Sequence, residues 1–145
     1  MRRAAAAGFS SRSRARISPS DGEPGARRHL LLVEDNADVT DAMRILFEHN
    51  GFRVSAAANV AEAVQIGVHD TPEVVLLDIS LGEDEDGLEI LARWRECGVT
   101  QPRVFALTGH SDEAMRERCA AAGCVAVLLK PVPTAELLAT IRAAI

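Results

Sequence analysis

The feature of this sequence that most constrains its fold is a regular alternation of short apolar runs with longer segments of helical periodicity. Such alternation is typical of repeated strand and helix units. The predicted strands span 30–33, 52–56, 73–77, 103–107 and 125–129, of which the second is the least apolar. Because most of these runs are almost continuously apolar, they predict a sheet that is covered on both faces.

The segments between the runs place apolar residues three and four positions apart, as on one face of a helix. The first such face consists of Val39, Ala42, Met43, Leu46 and Phe47, and the second of Val60, Ala63, Val64, Gly67 and Val68. Further helices are predicted over 87–97, 111–122 and 133–145. Asn59 and Glu62 form a predicted capping pair, and Asn50-Gly51 and Gly123 are predicted helix stops.

Strict alternation of five strands with five helices predicts a parallel sheet, because the crossovers between parallel strands are right-handed. The fold class is therefore α/β, a doubly wound five-stranded parallel sheet. In such a sheet the carboxyl ends of all strands meet at one edge, which is where ligands bind.

Charge divides the chain into a basic tail and an acidic body. Residues 1–28 carry seven Arg against two acidic residues, whereas 29–145 carry nine Lys and Arg against nineteen acidic residues. The Arg- and Ser-rich start has the composition of a transit peptide, but no apolar segment follows it, which favours a disordered tail. We therefore expect a disordered basic tail over 1–28 and one domain over 29–145. The acidic body argues against sequence-independent binding of nucleic acid.

The cysteines and the hydropathy exclude several other classes of protein. Cys97, Cys119 and Cys124 are odd in number and lack a CxxC spacing, so neither a disulfide framework nor a zinc site is predicted. No apolar run reaches the roughly 18 to 20 residues that a membrane span requires. These features favour a cytoplasmic protein with reduced thiols.

Polar residues follow four of the predicted strands, at the edge where ligands are expected. They are Glu34 and Asp35, Asp78, Thr108 and Lys130. Three carboxylates at one edge repel one another, and a bound cation relieves the repulsion. A site of oxygen ligands without His or Cys is typical of Mg²⁺. Lys130 is the only lysine of the chain, and its ammonium is a compact point charge.

Four motifs at this edge together resemble the receiver domains of bacterial response regulators in two-component signalling. They are VED at 33–35, LLDISL at 76–81, LTG at 107–109 and LKP at 129–131. The resemblance covers residues 29–145. It implies the flavodoxin-like (βα)5 form of the doubly wound sheet, with strand order 2-1-3-4-5. It implies that Asp78 is the phosphoacceptor and that Glu34, Asp35, Asp78 and the backbone carbonyl of Ser80 hold Mg²⁺.

The resemblance also assigns roles to the residues after the fourth and fifth strands. Thr108 is implied to be a hydroxyl switch and Lys130 the cation that contacts the acyl phosphate, with a cis bond at Lys130–Pro131. Most receivers carry an aromatic residue three positions before this lysine. Here that residue is Val127, and the chain contains no Tyr. Coupling between a threonine and an aromatic residue is therefore not expected in its usual form.

The loop after Asp78 also departs from the common pattern. It is one residue longer, and Gly82 stands at the usual position of a proline. The sequence therefore predicts a mobile loop, and the acidic run at 83–86 is interpreted as solvated charge.

The resemblance implies a function in signalling. Asp78 would accept a phosphoryl group from a sensor histidine kinase or a histidine phosphotransfer protein. Because the sequence ends after the fifth helix, we expect output through contact with a downstream protein, with no membrane or specific nucleic-acid partner and no enzymatic activity beyond the protein's own phosphorylation and dephosphorylation. The alternative is a pseudo-receiver that binds proteins without being phosphorylated. A dehalogenase-type hydrolase is disfavoured, because Ser80 stands where that class needs a second Asp.

Overall fold

A computed structural model, which describes residues 27–82, 85–110 and 112–145, contains a five-stranded parallel sheet with helices on both faces. The strands are β1 (Arg28–Val33), β2 (Phe52–Ala57), β3 (Val74–Asp78), β4 (Arg103–Thr108) and β5 (Ala126–Leu129). The helices are α1 (Ala37–His49), α2 (Val60–His69), α3 (Leu88–Glu96), α4 (Glu113–Ala122) and α5 (Thr134–Ala144). The order β2-β1-β3-β4-β5 confirms the predicted fold class and strand order.

The sheet separates two clusters of buried apolar residues. Because successive side chains of a strand point to opposite faces, β1 sends Leu31 into one cluster and Leu30 into the other. The first cluster includes Trp94 of α3, and the second includes Phe47 of α1. The prediction of a sheet covered on both faces is confirmed.

The predicted helix ends are confirmed at α2 and α4. The side chain of Asn59 accepts a hydrogen bond from the amide of Glu62, and the Glu62 carboxylate accepts one from the amide of Ala58 at 2.8 Å. These two bonds form the expected capping pair. Gly123 ends α4 with φ of 103°, a left-handed conformation that glycine adopts without strain.

The predicted apolar faces of α1 and α2 are only partly buried. Phe47 is fully buried, but Val39 and Val68 are exposed. Val39 is the third residue of α1 and Val68 is the last but one of α2, so the predicted faces are exposed near these helix ends.

The ordered sheet begins one residue before the predicted domain boundary, because Arg28 belongs to β1 and pairs with Phe52. Residues 1–26 of the predicted disordered tail lie outside the described residues. Glu83 and Asp84, in the loop that was predicted to be mobile, and Ser111, at the predicted start of α4, also lie outside them. None of the described helices is long and apolar enough to cross a membrane.

The residues that flank 83 and 84 form a short antiparallel hairpin directly after β3. Its first arm is Ser80–Leu81 and its second arm is Glu85–Asp86, with Ser80 opposite Asp86. Gly87 follows the second arm, and its amide donates to the carbonyl of Ile79 at 2.9 Å. The backbone of the hairpin is therefore closed beside the end of β3.

Candidate functional site

The polar residues predicted at the carboxyl edge of the sheet do lie at strand ends. Asp78 and Thr108 are the last residues of β3 and β4, while Glu34 and Lys130 directly follow β1 and β5. Parallel pairing of β1 with β3, of β3 with β4 and of β4 with β5 brings these ends to one edge. The topology thus assembles one site from segments that are nearly a hundred residues apart in the sequence.

Three carboxylates come together at this edge. Oxygen atoms of Glu34, Asp35 and Asp78, one from each residue, all lie within 4.8 Å of one another. Asp78 is buried, with 4 % of its surface exposed, whereas Glu34 is half-buried and Asp35 is exposed. Burial and, to a smaller extent, the charge of Asp78 raise the pKa of the Glu34 carboxyl above its ordinary value. Burial is the main cause of this raised pKa, and the contribution of Asp78 reflects the crowding of negative charge.

The donor set of the cluster fits a divalent cation. Its ligands are carboxylate oxygens with an exposed member, Asp35, on the solvent side, and hard oxygen ligands suit Mg²⁺. The ammonium of Lys130 lies 3.3 Å from Asp78 Oδ2 and balances one of the three charges. The remaining negative charge favours the binding of a cation.

Lys130 reaches Asp78 from β5, on the far side of β4. Its side chain is 40 % exposed, and its backbone amide donates to the carbonyl of Thr108 at 2.7 Å. The predicted cis peptide bond at Lys130–Pro131 is present. The ammonium therefore lies beside the predicted phosphoacceptor while remaining accessible to a phosphoryl group.

Backbone amides of the hairpin bind two of the carboxylates. The amide of Ser80 donates to Asp78 Oδ1, and the amide of Gly82 donates to Asp35 Oδ2, both at 3.1 Å. Ser80 thus lies beside the cluster, where its carbonyl was predicted to complete a metal site. That role of the carbonyl remains a prediction.

Thr108 is brought to the same edge, but its hydroxyl is engaged within its own loop. The hydroxyl donates to the carbonyl of His110 at 2.9 Å and accepts from the His110 amide at 3.1 Å. Val127, at the position discussed above for an aromatic residue, is half-buried and packs against the first apolar cluster. The predicted switch residue is therefore at the site, with its polar group held by His110.

Sequence reasoning missed the contacts of the acidic run after β3. Glu85 accepts a hydrogen bond from the amide of Val60 at 3.0 Å, and Asp86 forms an ion pair with Arg118. Glu85 is exposed and the Asp86 side chain is 45 % exposed, so both are solvated as interpreted, but each also has a partner in the fold. Glu83 and Asp84 lie outside the described residues. No local sequence pattern predicts these contacts, because the partners of Glu85 and Asp86 lie 25 and 32 residues away in the chain.

Comparisons with known proteins agree with this geometry. Residues 30–142 match the family described as the response regulator receiver domain. The chain is 32 % identical to a 14.6 kDa protein of Leptolyngbya boryana over 119 residues, which is 81 % of this chain and 89 % of that protein. It is 35 % identical to the transcriptional regulatory protein TrcR of Mycobacterium tuberculosis over 127 residues, which is 88 % of this chain and 48 % of TrcR. The chain thus spans about half the length of that regulator.

Among solved structures, the chemotaxis protein CheY4 of Vibrio cholerae has a similar fold. The TM-score is 0.76 at 21 % identity, and the match covers 83 % of this chain and 100 % of CheY4. The flavodoxin-like arrangement of five strands and five helices is common to both.

Proposed function

The chain belongs to the response regulator receiver domain family, and from this membership we propose that Asp78 accepts a phosphoryl group from a phosphohistidine. The donor would be a sensor histidine kinase or a histidine phosphotransfer protein of a two-component system. The observation that carries the proposal is the cluster of Glu34, Asp35 and Asp78, with the Lys130 ammonium 3.3 Å from Asp78 Oδ2.

The crowded carboxylates support the assignment of a Mg²⁺ site. Glu34, Asp35 and Asp78 would hold the ion together with the backbone carbonyl of Ser80. A bound Mg²⁺ neutralises the carboxylates and the oxygens of the incoming phosphoryl group. Without this positive charge, the cluster would repel a phosphate-bearing donor.

The protein's own groups supply the nucleophile and part of the charge stabilisation. A carboxylate oxygen of Asp78 forms the new bond to phosphorus, the bond from phosphorus to the histidine nitrogen breaks, and the electron pair leaves with the imidazole. Lys130 contacts the phosphoryl oxygens, because its ammonium is a flexible point charge. Thr108 would turn its hydroxyl from His110 to a phosphoryl oxygen, which requires two hydrogen bonds of 2.9 and 3.1 Å to be exchanged.

As members of this family are signalling domains, we propose that phosphorylation changes contacts with a downstream protein and that the protein acts in the cytoplasm. The chemistry is limited to its own phosphorylation and dephosphorylation, with no separate substrate. Phosphorylation would shift a pre-existing equilibrium between two conformations of the partner-binding surface.

Exposure to a small phosphodonor tests the proposal directly. Incubation with acetyl phosphate and Mg²⁺ should increase the mass of the intact protein by one phosphoryl group, and Asp78→Asn should abolish the increase. Asp41→Asn, which changes an exposed carboxylate of α1, is the matched control and should be phosphorylated normally. An unchanged mass at saturating donor and Mg²⁺, in a folded protein, contradicts the proposal.

Two observations favour a second candidate function, a pseudo-receiver that binds proteins without being phosphorylated. The Thr108 hydroxyl is already engaged by His110, and Val127 offers no aromatic side chain beside it. Beryllofluoride distinguishes the two functions. A phosphoacceptor binds it in the presence of Mg²⁺ and loses that binding in Asp78→Asn, whereas a pseudo-receiver does not bind it.

A further inference from the structure

The hairpin after β3 connects the carboxylate cluster to the rest of the fold through its first arm. The amides of Ser80 and Gly82, in and just after that arm, donate to Asp78 and Asp35. Ser80 also pairs with Asp86 across the hairpin. Hydrogen bonds thus link Asp78 and Asp35 to the first arm, and the pairing links the first arm to the second.

The second arm contacts residues of three helices. The Glu85 carboxylate accepts a hydrogen bond from the amide of Val60, the first residue of α2, at 3.0 Å. This contact places a negative charge at a helix N-terminus, where it is stabilising. The two carboxylate oxygens of Asp86 have different partners. Oδ1 accepts a hydrogen bond from the amide of Leu88 at 3.0 Å, and Oδ2 pairs with the guanidinium of Arg118 on α4.

A connection from the site to α4 through β4 and β5 has fewer polar contacts to carry it. The Thr108 hydroxyl is held by the backbone of His110, and the Val127 side chain carries no polar group. By contrast, the pair of Asp86 and Arg118 joins the loop after the phosphoacceptor to the middle of α4 by opposite charges. The carboxylate and the guanidinium are each about half exposed, at 45 % and 51 %.

We infer that Arg118 is a positioning residue that holds the hairpin through Asp86 and reports the state of the carboxylate cluster to α4. This inference rests on the proposed function. Arg118 does not touch the reacting atoms and acts through Asp86. Coupling of this kind is reciprocal. If cation binding shifts the conformational equilibrium of α4 by some factor, then the same shift in α4 changes the affinity of the cluster for its cation by that factor.

A double-mutant cycle on the full chain tests the inference. Its variants are Arg118→Gln, Asp86→Asn and the double variant. Asp86→Asn keeps an oxygen acceptor for the Leu88 amide while removing the charge that faces Arg118. Arg93→Gln is the matched control, because Arg93 pairs with Glu89 inside α3 at the same exposure, 50 % and 48 %, without joining two elements.

Two quantities are measured for each variant. The first is the Mg²⁺ dissociation constant by isothermal titration calorimetry, without any phosphodonor. The second is the change in hydrogen exchange of residues 113–122 when Mg²⁺ is added, first alone and then together with beryllofluoride. The second measurement detects coupling to α4, which a merely structural role of the pair would leave unchanged.

Each single substitution should weaken Mg²⁺ binding about two- to five-fold, the effect expected of an exposed ion pair. The double variant should bind no more weakly than the worse single variant, because both substitutions break the same contact. The exchange response of α4 should fall below half of the wild-type response. Arg93→Gln should match the wild type, and Arg118→Lys, which keeps the charge, should recover part of both quantities.

Additive effects in the double variant, or a full exchange response of α4 in Arg118→Gln, would overturn the inference. Failure of the proposed function looks different. In that case the wild-type chain binds Mg²⁺ without binding beryllofluoride, and the Mg²⁺ affinities together with the α4 response to Mg²⁺ alone still decide the role of Arg118. A wild-type chain that binds neither ligand contradicts both.

Discussion

The close packing of α2 against α3 leaves no room for a side chain at Gly67. A β-carbon at this position would lie 2.2 Å from Nε1 and 2.3 Å from Cε2 of Trp94. The indole cannot easily move away, because it is 2 % exposed in the first apolar cluster and its N–H donates to the carbonyl of Val64 at 3.3 Å. Gly67→Ala must therefore displace a buried aromatic ring or separate the two helices.

The expected change in the free energy of unfolding combines two destabilising effects and one stabilising effect. Overpacking of a filled core costs about 1–3 kcal/mol. Loss of the indole hydrogen bond adds about 1 kcal/mol. Replacing glycine by alanine inside a helix returns about 1 kcal/mol of helix propensity. We expect Gly67→Ala to lower the free energy of unfolding by about 2 kcal/mol, the opposite sign from propensity alone.

Urea denaturation followed by fluorescence measures this change, because Trp94 is the only tryptophan of the chain. Gly109→Ala is the matched control, since a β-carbon there meets no atom within 4 Å, and its stability should stay close to that of the wild type. In Gly67→Ala/Trp94→Phe, followed by circular dichroism, the smaller ring should relieve the clash, so the two costs should not add. A Gly67→Ala protein as stable as the wild type, or more stable, would refute the packing argument.

Three further predictions concern ions and titratable groups. Saturating Mg²⁺ should raise the melting temperature of the wild type, because a ligand that binds only the folded state stabilises it, and Asp35→Asn should reduce the rise measured by calorimetry. Burial, and then the charge of Arg53, hold the pKa of His29 below its ordinary value. The unfolded chain therefore binds the proton more readily, so the contribution of neutral His29 to stability is complete above pH of about 6.5 and is lost as the pH falls. Urea denaturation between pH 7.5 and 5 should show this loss, and His29→Gln should flatten it. Iodoacetamide at pH 7.5 should label the exposed Cys97 first, since burial raises the pKa of Cys124 to about 12, and mass spectrometry of peptides checks the order.

Much of the fold could be predicted because its determinants are local or periodic. Short apolar runs predicted the five strands, and the pairing of Asn59 with Glu62 marked the start of α2. The site could also be located, since the residues that follow parallel strands must meet at one edge. Asp78 and Lys130 illustrate this, because they are 52 positions apart in the sequence and their charged atoms lie 3.3 Å apart.

What could not be predicted depends on tertiary contacts and on side-chain conformation. The ion pair of Asp86 with Arg118 depends on how far the hairpin reaches across to α4, which no sequence period encodes. The Thr108 hydroxyl has several staggered positions, and only the course of the following loop selects the one bonded to His110. The close approach at Gly67 is due to the ring of Trp94, which lies 27 positions further along the chain.

The single lysine of the chain has a consequence for chemical modification. Every other basic side chain apart from histidine is a guanidinium, so an acyl group that reacts with side-chain amines finds one target, Lys130. That amine is 40 % exposed and adjoins Asp78. Acetylation of Lys130 would remove its positive charge. The carboxylate cluster would then lose the ammonium that pairs with Asp78, while the arginines would be unchanged.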